Sequence, residues 1–301
     1  MSSTTSTSLL YASVINEIPV SLPIAHAARS TQNHLTIVLV AASFDYHWQS
    51  IQELLTFVYV QATRVAQDMN RILLQIDVLL HTPTDTLPHS ISNPDLVFRV
   101  EGDTLELPPV LSAIPQQQLP RGAPLPASAP FSPTCTPRLP VVALGGTFDH
   151  LHAGHKILLS MGAFLASEKL IVGVTDDALL TRKAHAEVLE SLPTRIAAVR
   201  TFLTAFKPGL VYDIVPINDV YGPTGWDPNI QALVVSKETA SGAASIASHR
   251  AEHALPALET FTIDVISATE TSISDDNADF MKQAKMSSTY IREWIVNNAH
   301  K

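Results

Sequence analysis

Lysine does not occur in this 301-residue chain before Lys156, and glycine does not occur before Gly102. The first hundred residues therefore lack the usual means of cradling a phosphate, a close backbone approach and a mobile cation. Cysteine is almost missing. The single Cys135 excludes an internal disulfide and a cysteine-ligated zinc site, and suits a reducing compartment. Charge is sparse at 16% of residues, and a net charge of −9 argues against broad binding to nucleic acid or to anionic membranes. The apolar runs, such as Leu35 to Ala42, are too short to span a bilayer. The first residues have neither the basic stretch nor the apolar core of a secretory signal, and Glu17 precedes the first arginine, Arg29. The expectation is a soluble, cytoplasmic protein whose positive groups are concentrated in its C-terminal half.

What is present divides the chain. Hydrophobic residues make up 46% of it, a globular composition. Ten of the 21 prolines fall between Pro108 and Pro140, around Gln116-Gln117-Gln118. Proline fixes φ and removes a donor, so residues 108–139 are expected to form an extended linker. Before it, residues 1–107 read as a small α/β domain: a polar tail, a strand at Leu35–Val40, a helix from about Trp48 to Leu80, and a short strand at Leu96–Val100. An interaction or structural role fits this region better than a second active site. After it, residues 140–301 alternate apolar strands with helices. Strands are expected at Val141–Leu144, Leu170–Val174, Val211–Val215, Ala232–Val235 and Thr260–Ile266. The pattern predicts an α/β fold with a Rossmann-like, doubly wound parallel sheet and ligands at the carboxyl ends of its strands. Ala268 to Lys285 reads as an acidic loop.

The most informative segment is Gly145-Gly146-Thr147-Phe148-Asp149-His150-Leu151-His152-Ala153-Gly154-His155. A strand, a glycine turn and a helix start bring free N–H groups and the positive end of a helix dipole to one anion. His152 and His155, three residues apart, share one helical face. Zinc hydrolases use i, i+4 spacing with an intervening acid, so a metal reading of these histidines is disfavoured, and His150 is given no catalytic role. GGTFD is not a dinucleotide fingerprint, which leaves no reason to expect a nicotinamide or flavin. A second hydroxyl-rich helix start follows at Met286-Ser287-Ser288-Thr289-Tyr290-Ile291-Arg292. Asp149 reads as a residue that orders the turn.

Together with Val172-Gly173-Val174-Thr175-Asp176, Asp219-Val220-Tyr221-Gly222-Pro223 and Val235-Ser236-Lys237-Glu238-Thr239, these segments resemble the nucleotidylyltransferase superfamily. Within it they most resemble the phosphopantetheine adenylyltransferases of the eukaryotic coenzyme A pathway, over about Pro140 to Val296. The resemblance implies transfer of the adenylyl group of ATP to 4′-phosphopantetheine, with Mg²⁺ accompanying the ATP. It implies that Gly146, Thr147, Phe148, His152, His155, Ser287, Ser288, Thr289 and Arg292 bind the nucleotide. His155 would stabilise charge at the α-phosphorus, Thr147 would bind the acceptor phosphate, and Lys183 would bridge both substrates' phosphates. Arg182 is an alternative to Lys183, and Lys237 and Arg250 are further candidates for phosphate contact. Two rival readings remain. One is a cytidylyltransferase acting on a small phosphorylated alcohol, although KMSSTYIR stands where those relatives carry RTEGISTS-like wording. The other is a non-catalytic scaffold for coenzyme A enzymes. No GxxxxGK[ST] phosphate loop occurs, so dephospho-coenzyme A kinase activity is not expected here, and a complex with other enzymes of that pathway is.

Overall fold

Buried apolar runs set two parallel sheets. The computed structural model describes residues 4–14, 21–91, 93–122, 135–264 and 286–299. These fall into two compact units that divide between Cys135 and Thr136. No helix among the described residues is long and apolar enough to cross a membrane.

The first unit holds β1 (Thr5–Ser13), α1 (Ser21–Ser30), β2 (Thr31–Val40), α2 (Trp48–Asp68), β3 (Gln75–His81), β4 (Leu96–Val100) and β5 (Gln116–Leu119). Its strands are parallel in the order β3-β2-β1-β4-β5. Three expectations change. The polar tail is in fact the central strand. Leu9 and Leu10 are buried in β1, and threonine among them suits an extended backbone. The helix predicted over 48–80 ends at Asp68. Asn70 turns left-handed at φ 55°, and Arg71 reaches back to the carbonyls of Arg29 and Thr31 at 2.8 and 2.7 Å. Beyond that turn, Ile76, Val78 and Leu79 enter β3, because a short apolar run satisfies strand and helix spacing alike. Finally, part of the segment read as linker joins the sheet. Leu111 is buried, and the Pro115 carbonyl accepts from Val97 N–H at 2.9 Å where β5 begins. An edge strand tolerates proline, which keeps its acceptor though it lacks a donor.

The second unit holds β6 (Leu139–Gly146), α3 (Ala153–Leu165), β7 (Ala166–Thr175), α4 (Leu192–Phe206), β8 (Val211–Ile217), β9 (Ala232–Ser236), α5 (Ala240–Glu252), β10 (Glu259–Ile263) and α6 (Ser288–Asn298). Its parallel order is β10-β9-β6-β7-β8. All five strands expected here are present, each near its predicted place. Pro193 lies in the first turn of α4, where its missing N–H costs nothing. The order reverses between β6 and β9, so a crevice is expected at the carboxyl end of β6, just where the glycine turn begins. Beside it, the Ile217 side chain fills a notch between glycines. A Cβ on Gly173 would lie 2.9 Å from Ile217 Cγ2, and one on Gly222 only 2.6 Å. The acidic loop expected over 268–285 lies outside the described residues.

Candidate active site

β6 delivers the chain into a strained turn. Phe148 and His150 both adopt positive φ, 53° and 44°, a region that costs a non-glycine residue of order 1–3 kcal/mol. The Phe148 ring folds back beneath Gly146, where a Cβ would lie 3.0 Å from the ring. Phe148 is 0% exposed. Its ring therefore supports the glycine turn from below, and any ligand contact by Phe148 would be through its backbone.

Above that ring stand the two imidazoles. His152 is the N-cap of α3, and His155 sits one turn in. Their rings stack at 3.9 Å between centroids, and Phe148 lies 5.4 Å from His155. Burial, then the Lys156 charge, lowers the His152 pKa to about 4. Burial, then His152 and Lys156, pushes His155 well below the usual imidazole range. Both rings are neutral at physiological pH. Each Nδ1 is buried with no hydrogen-bond partner among the described residues. An unsatisfied buried polar atom is costly, so phosphate oxygens arriving here would be doubly welcome, electrostatically and as partners. Lys156 itself is buried, its ammonium 5.7 Å from the Phe202 ring centroid.

Asp149 joins the two helix starts. It is 0% exposed, and its Oδ1 accepts the Glu190 N–H at 2.9 Å. Its Oδ2 pairs with Arg292, and its carbonyl accepts from Ser288 Oγ at 2.8 Å. The first residues of α6 are thereby held against the turn that precedes α3. Ser287 caps α6 by accepting Tyr290 N–H at 3.2 Å. Arg292, expected to grip the triphosphate, is 2% exposed and already engaged. Besides Asp149, it donates to the Ala184 carbonyl at 2.8 Å and to Thr289 Oγ1 at 3.3 Å. In this arrangement it positions the site from within.

Arg195 is the residue that the sequence reading missed. Fully buried on α4, it donates to the carbonyls of Thr147 at 2.7 Å, Thr175 at 2.9 Å and Glu190 at 3.0 Å, and to Asp177 at 2.5 Å. One guanidinium ties together the ends of β6 and β7 and the loop before α4. Its signal was its place on the stripe Arg195, Val199, Phe202, where a charged residue in an apolar row has to be paired.

The remaining candidates sit as follows. Thr147 is half-buried, and Lys183 and Arg182 are exposed on the loop after β7. Lys237 pairs with Asp264 at 2.8 Å. Arg250 is buried and donates to the carbonyls of Pro256, Thr224 and Asp227 at 2.7, 2.6 and 3.0 Å, which clamps the loops around α5. Among the described residues one trio, Asp149, His150 and Glu190, brings its ligand atoms within 4.8 Å of one another. Its atoms are already employed. Glu190 accepts His150 N–H at 2.7 Å, His150 Nε2 donates to the Val188 carbonyl at 2.8 Å, and Asp149 holds Arg292. The trio is satisfied by the protein itself and does not fit a resident cation.

The family described as cytidylyltransferase-like matches residues 143–294. Over 159 residues the chain is 42% identical to a phosphopantetheine adenylyltransferase of Saccharomyces cerevisiae, covering 53% of this chain and 50% of that one. The chain thus spans about half the length of that relative. Proteins of the same name from Pyrobaculum aerophilum and Pyrococcus abyssi are 36% identical over 125 residues and 33% over 158. Those matches cover 42% and 52% of this chain, and 79% and 90% of the archaeal proteins.

Proposed function

Because the chain belongs to the cytidylyltransferase-like nucleotidyltransferases, we propose that it transfers the adenylyl group of ATP to 4′-phosphopantetheine, giving dephospho-coenzyme A and pyrophosphate. The observation that carries the chemistry is the pair of stacked, neutral imidazoles at the start of α3, joined through Asp149 to the hydroxyl-rich start of α6. The choice of substrate is supported by the names of the yeast and archaeal relatives.

The reaction asks for positioning more than for acid–base chemistry. A phosphate oxygen of the acceptor, already an anion, attacks the α-phosphorus of MgATP in line. The new O–P bond forms as the bond to the bridging oxygen breaks, and pyrophosphate leaves with the metal. No proton has to be removed from the nucleophile, and no covalent enzyme intermediate is needed. The protein's task is to neutralise charge on the phosphoryl oxygens and to hold the two phosphates together. In this reading, N–H groups of His152 and His155 donate to those oxygens, His155 at the α-phosphorus. The hydroxyls of Ser287, Ser288 and Thr289 and the dipole of α6 hold the outer phosphates. Gly146 lets the backbone approach, and Thr147 binds the acceptor phosphate. Lys183, on its exposed loop, bridges the two phosphates, with Arg182 beside it. Arg292 and Arg195 fix the turn on which the rest depends. Magnesium enters as part of the substrate.

Pyrophosphate release with ATP or CTP, each paired with 4′-phosphopantetheine or phosphocholine, tests the reading. Release is expected only with ATP and phosphopantetheine. Turnover with CTP and phosphocholine would preserve the mechanism and overturn the substrate, and silence in all four pairings from protein that binds ATP would favour a scaffold. His155→Ala is expected to lower kcat by about two to three orders of magnitude with little loss of Tm, since it removes a donor to developing charge. A complex with the kinase that consumes the product belongs to the same proposal and is checked by gentle co-purification.

A further inference from the structure

The first unit repeats the strand order of the second, and its own reversal point lies between β1 and β4. In doubly wound sheets ligands settle at the carboxyl ends of the strands beside such a point. A cavity of about 870 Å³ opens there. Its walls are Tyr11 of β1, the loop 83–89 that follows β3, and the loop 104–110 that follows β4.

Both loops are pinned. Asp103 accepts the Ser13 N–H at 2.8 Å through one oxygen and the Leu105 N–H at 3.0 Å through the other, which ties the loop after β4 to the end of β1. Arg99 donates to the Leu105 carbonyl. Asp85 closes the other loop by accepting the Thr82 N–H at 2.6 Å. Between these walls Tyr11 is 6% exposed, yet its hydroxyl makes no hydrogen bond among the described residues. The ring is buried, and a phenol in the wall of a cavity can both donate to and accept from a ligand there.

We propose that this crevice is a binding site for an organic cation, a protonated amine carried on an apolar body. The charges choose the class. Asp85 and Glu106 line the cavity with a single imidazole, His89, and no lysine or arginine does. No lysine occurs in the whole chain before Lys156, and the loops that follow β3 and β4 lack the glycine-rich backbone that wraps a phosphate. An anion would therefore meet two carboxylates, with one imidazole in the lining and the Arg99 guanidinium, itself held by the Leu105 carbonyl and faced by Asp103, as the basic groups nearby. Leu87, Leu107 and Val110 supply apolar surface for the body of the ligand. The Tyr11 hydroxyl, kept protonated because burial and the Asp103 carboxylate raise its pKa against the opposing pull of Arg99, accepts an ammonium proton through its oxygen.

Phenethylamine is a suitable probe of the full-length protein, with 2-phenylethanol and phenylacetate as neutral and anionic controls of similar shape. Backbone amide shifts would be followed during each titration. Saturable shifts confined to residues 83–89 and 104–110 with the amine, and binding at least about tenfold weaker for both controls, are expected. Glu106→Gln lies on an exposed residue and should weaken the amine severalfold while leaving Tm unchanged. Tyr11→Phe removes only the hydroxyl and should also weaken it. Equal binding of the neutral or anionic control, shifts that map elsewhere, or full affinity in both variants would overturn the proposal.

Discussion

Neutral imidazoles packed face to face are an unusual way to await an anion, and they have a cost that pH reveals. His152 protonates near pH 4 in the folded protein instead of 6.5, and His155 is shifted the same way. Below pH 6.5 the unfolded chain is then the better proton acceptor. The stability that depends on these rings being neutral is complete above about pH 6.5 and is lost as pH falls towards about 4. Urea midpoints taken between pH 7 and 4.5 should fall more steeply for the parent than for His152→Asn. Equal slopes would mean that the rings protonate freely while folded. Asp149 poses a different problem. Its carboxylate and Arg292 are both out of water, so Asp149→Asn strands a buried guanidinium beside a neutral amide. Losing one partner of a buried pair costs about 3–5 kcal/mol. The variant should show a clear drop in Tm together with loss of transfer activity. A matching Tm would show that the pair is dispensable to the fold.

Among the elements, the strands of the second unit were the easiest to read, because glycine, Pro193 and the charged stretches punctuate nearly every one of them. The glycine turn and the histidines after it were legible for a related reason: they are contiguous, from Gly145 to His155. Arg195 was not, since the carbonyls it gathers belong to Thr147, Thr175 and Glu190, and only the folded sheet brings those together. In the first unit β1 was hidden among serines and threonines, and α2 was read straight through the turn at Asn70 into β3 because apolar spacing alone does not mark the change. The Ile217 notch shows how closely elements are fitted near the site. Gly222 has φ 49° and no room for a methyl group, so conformational strain and overlap with Ile217 act in the same direction. Gly222→Ala is expected to cost about 1–3 kcal/mol, read from chemical denaturation. A stability unchanged within error would mean that the turn from Asp219 relaxes at no cost.

For the molecule as a whole, each unit has its own parallel sheet and its own buried core. A polypeptide of residues 136–301 should therefore unfold cooperatively and retain transfer activity within about tenfold of the full chain. Insoluble or silent protein would show that the second unit depends on the first. Within that unit, the contacts that complete the turn are far apart along the chain: Ser288 meets Asp149 across 139 positions and Arg292 meets it across 143. Closing so long a loop is entropically slow to repay, and such contacts form late. The sheet can be in place while Asp149 still lacks its guanidinium and the strained turn has nothing to hold it. During refolding, or as the polypeptide emerges from a ribosome, recovery of secondary structure should precede recovery of activity. On the proposed reading, a half-made chain would then carry no working transfer site.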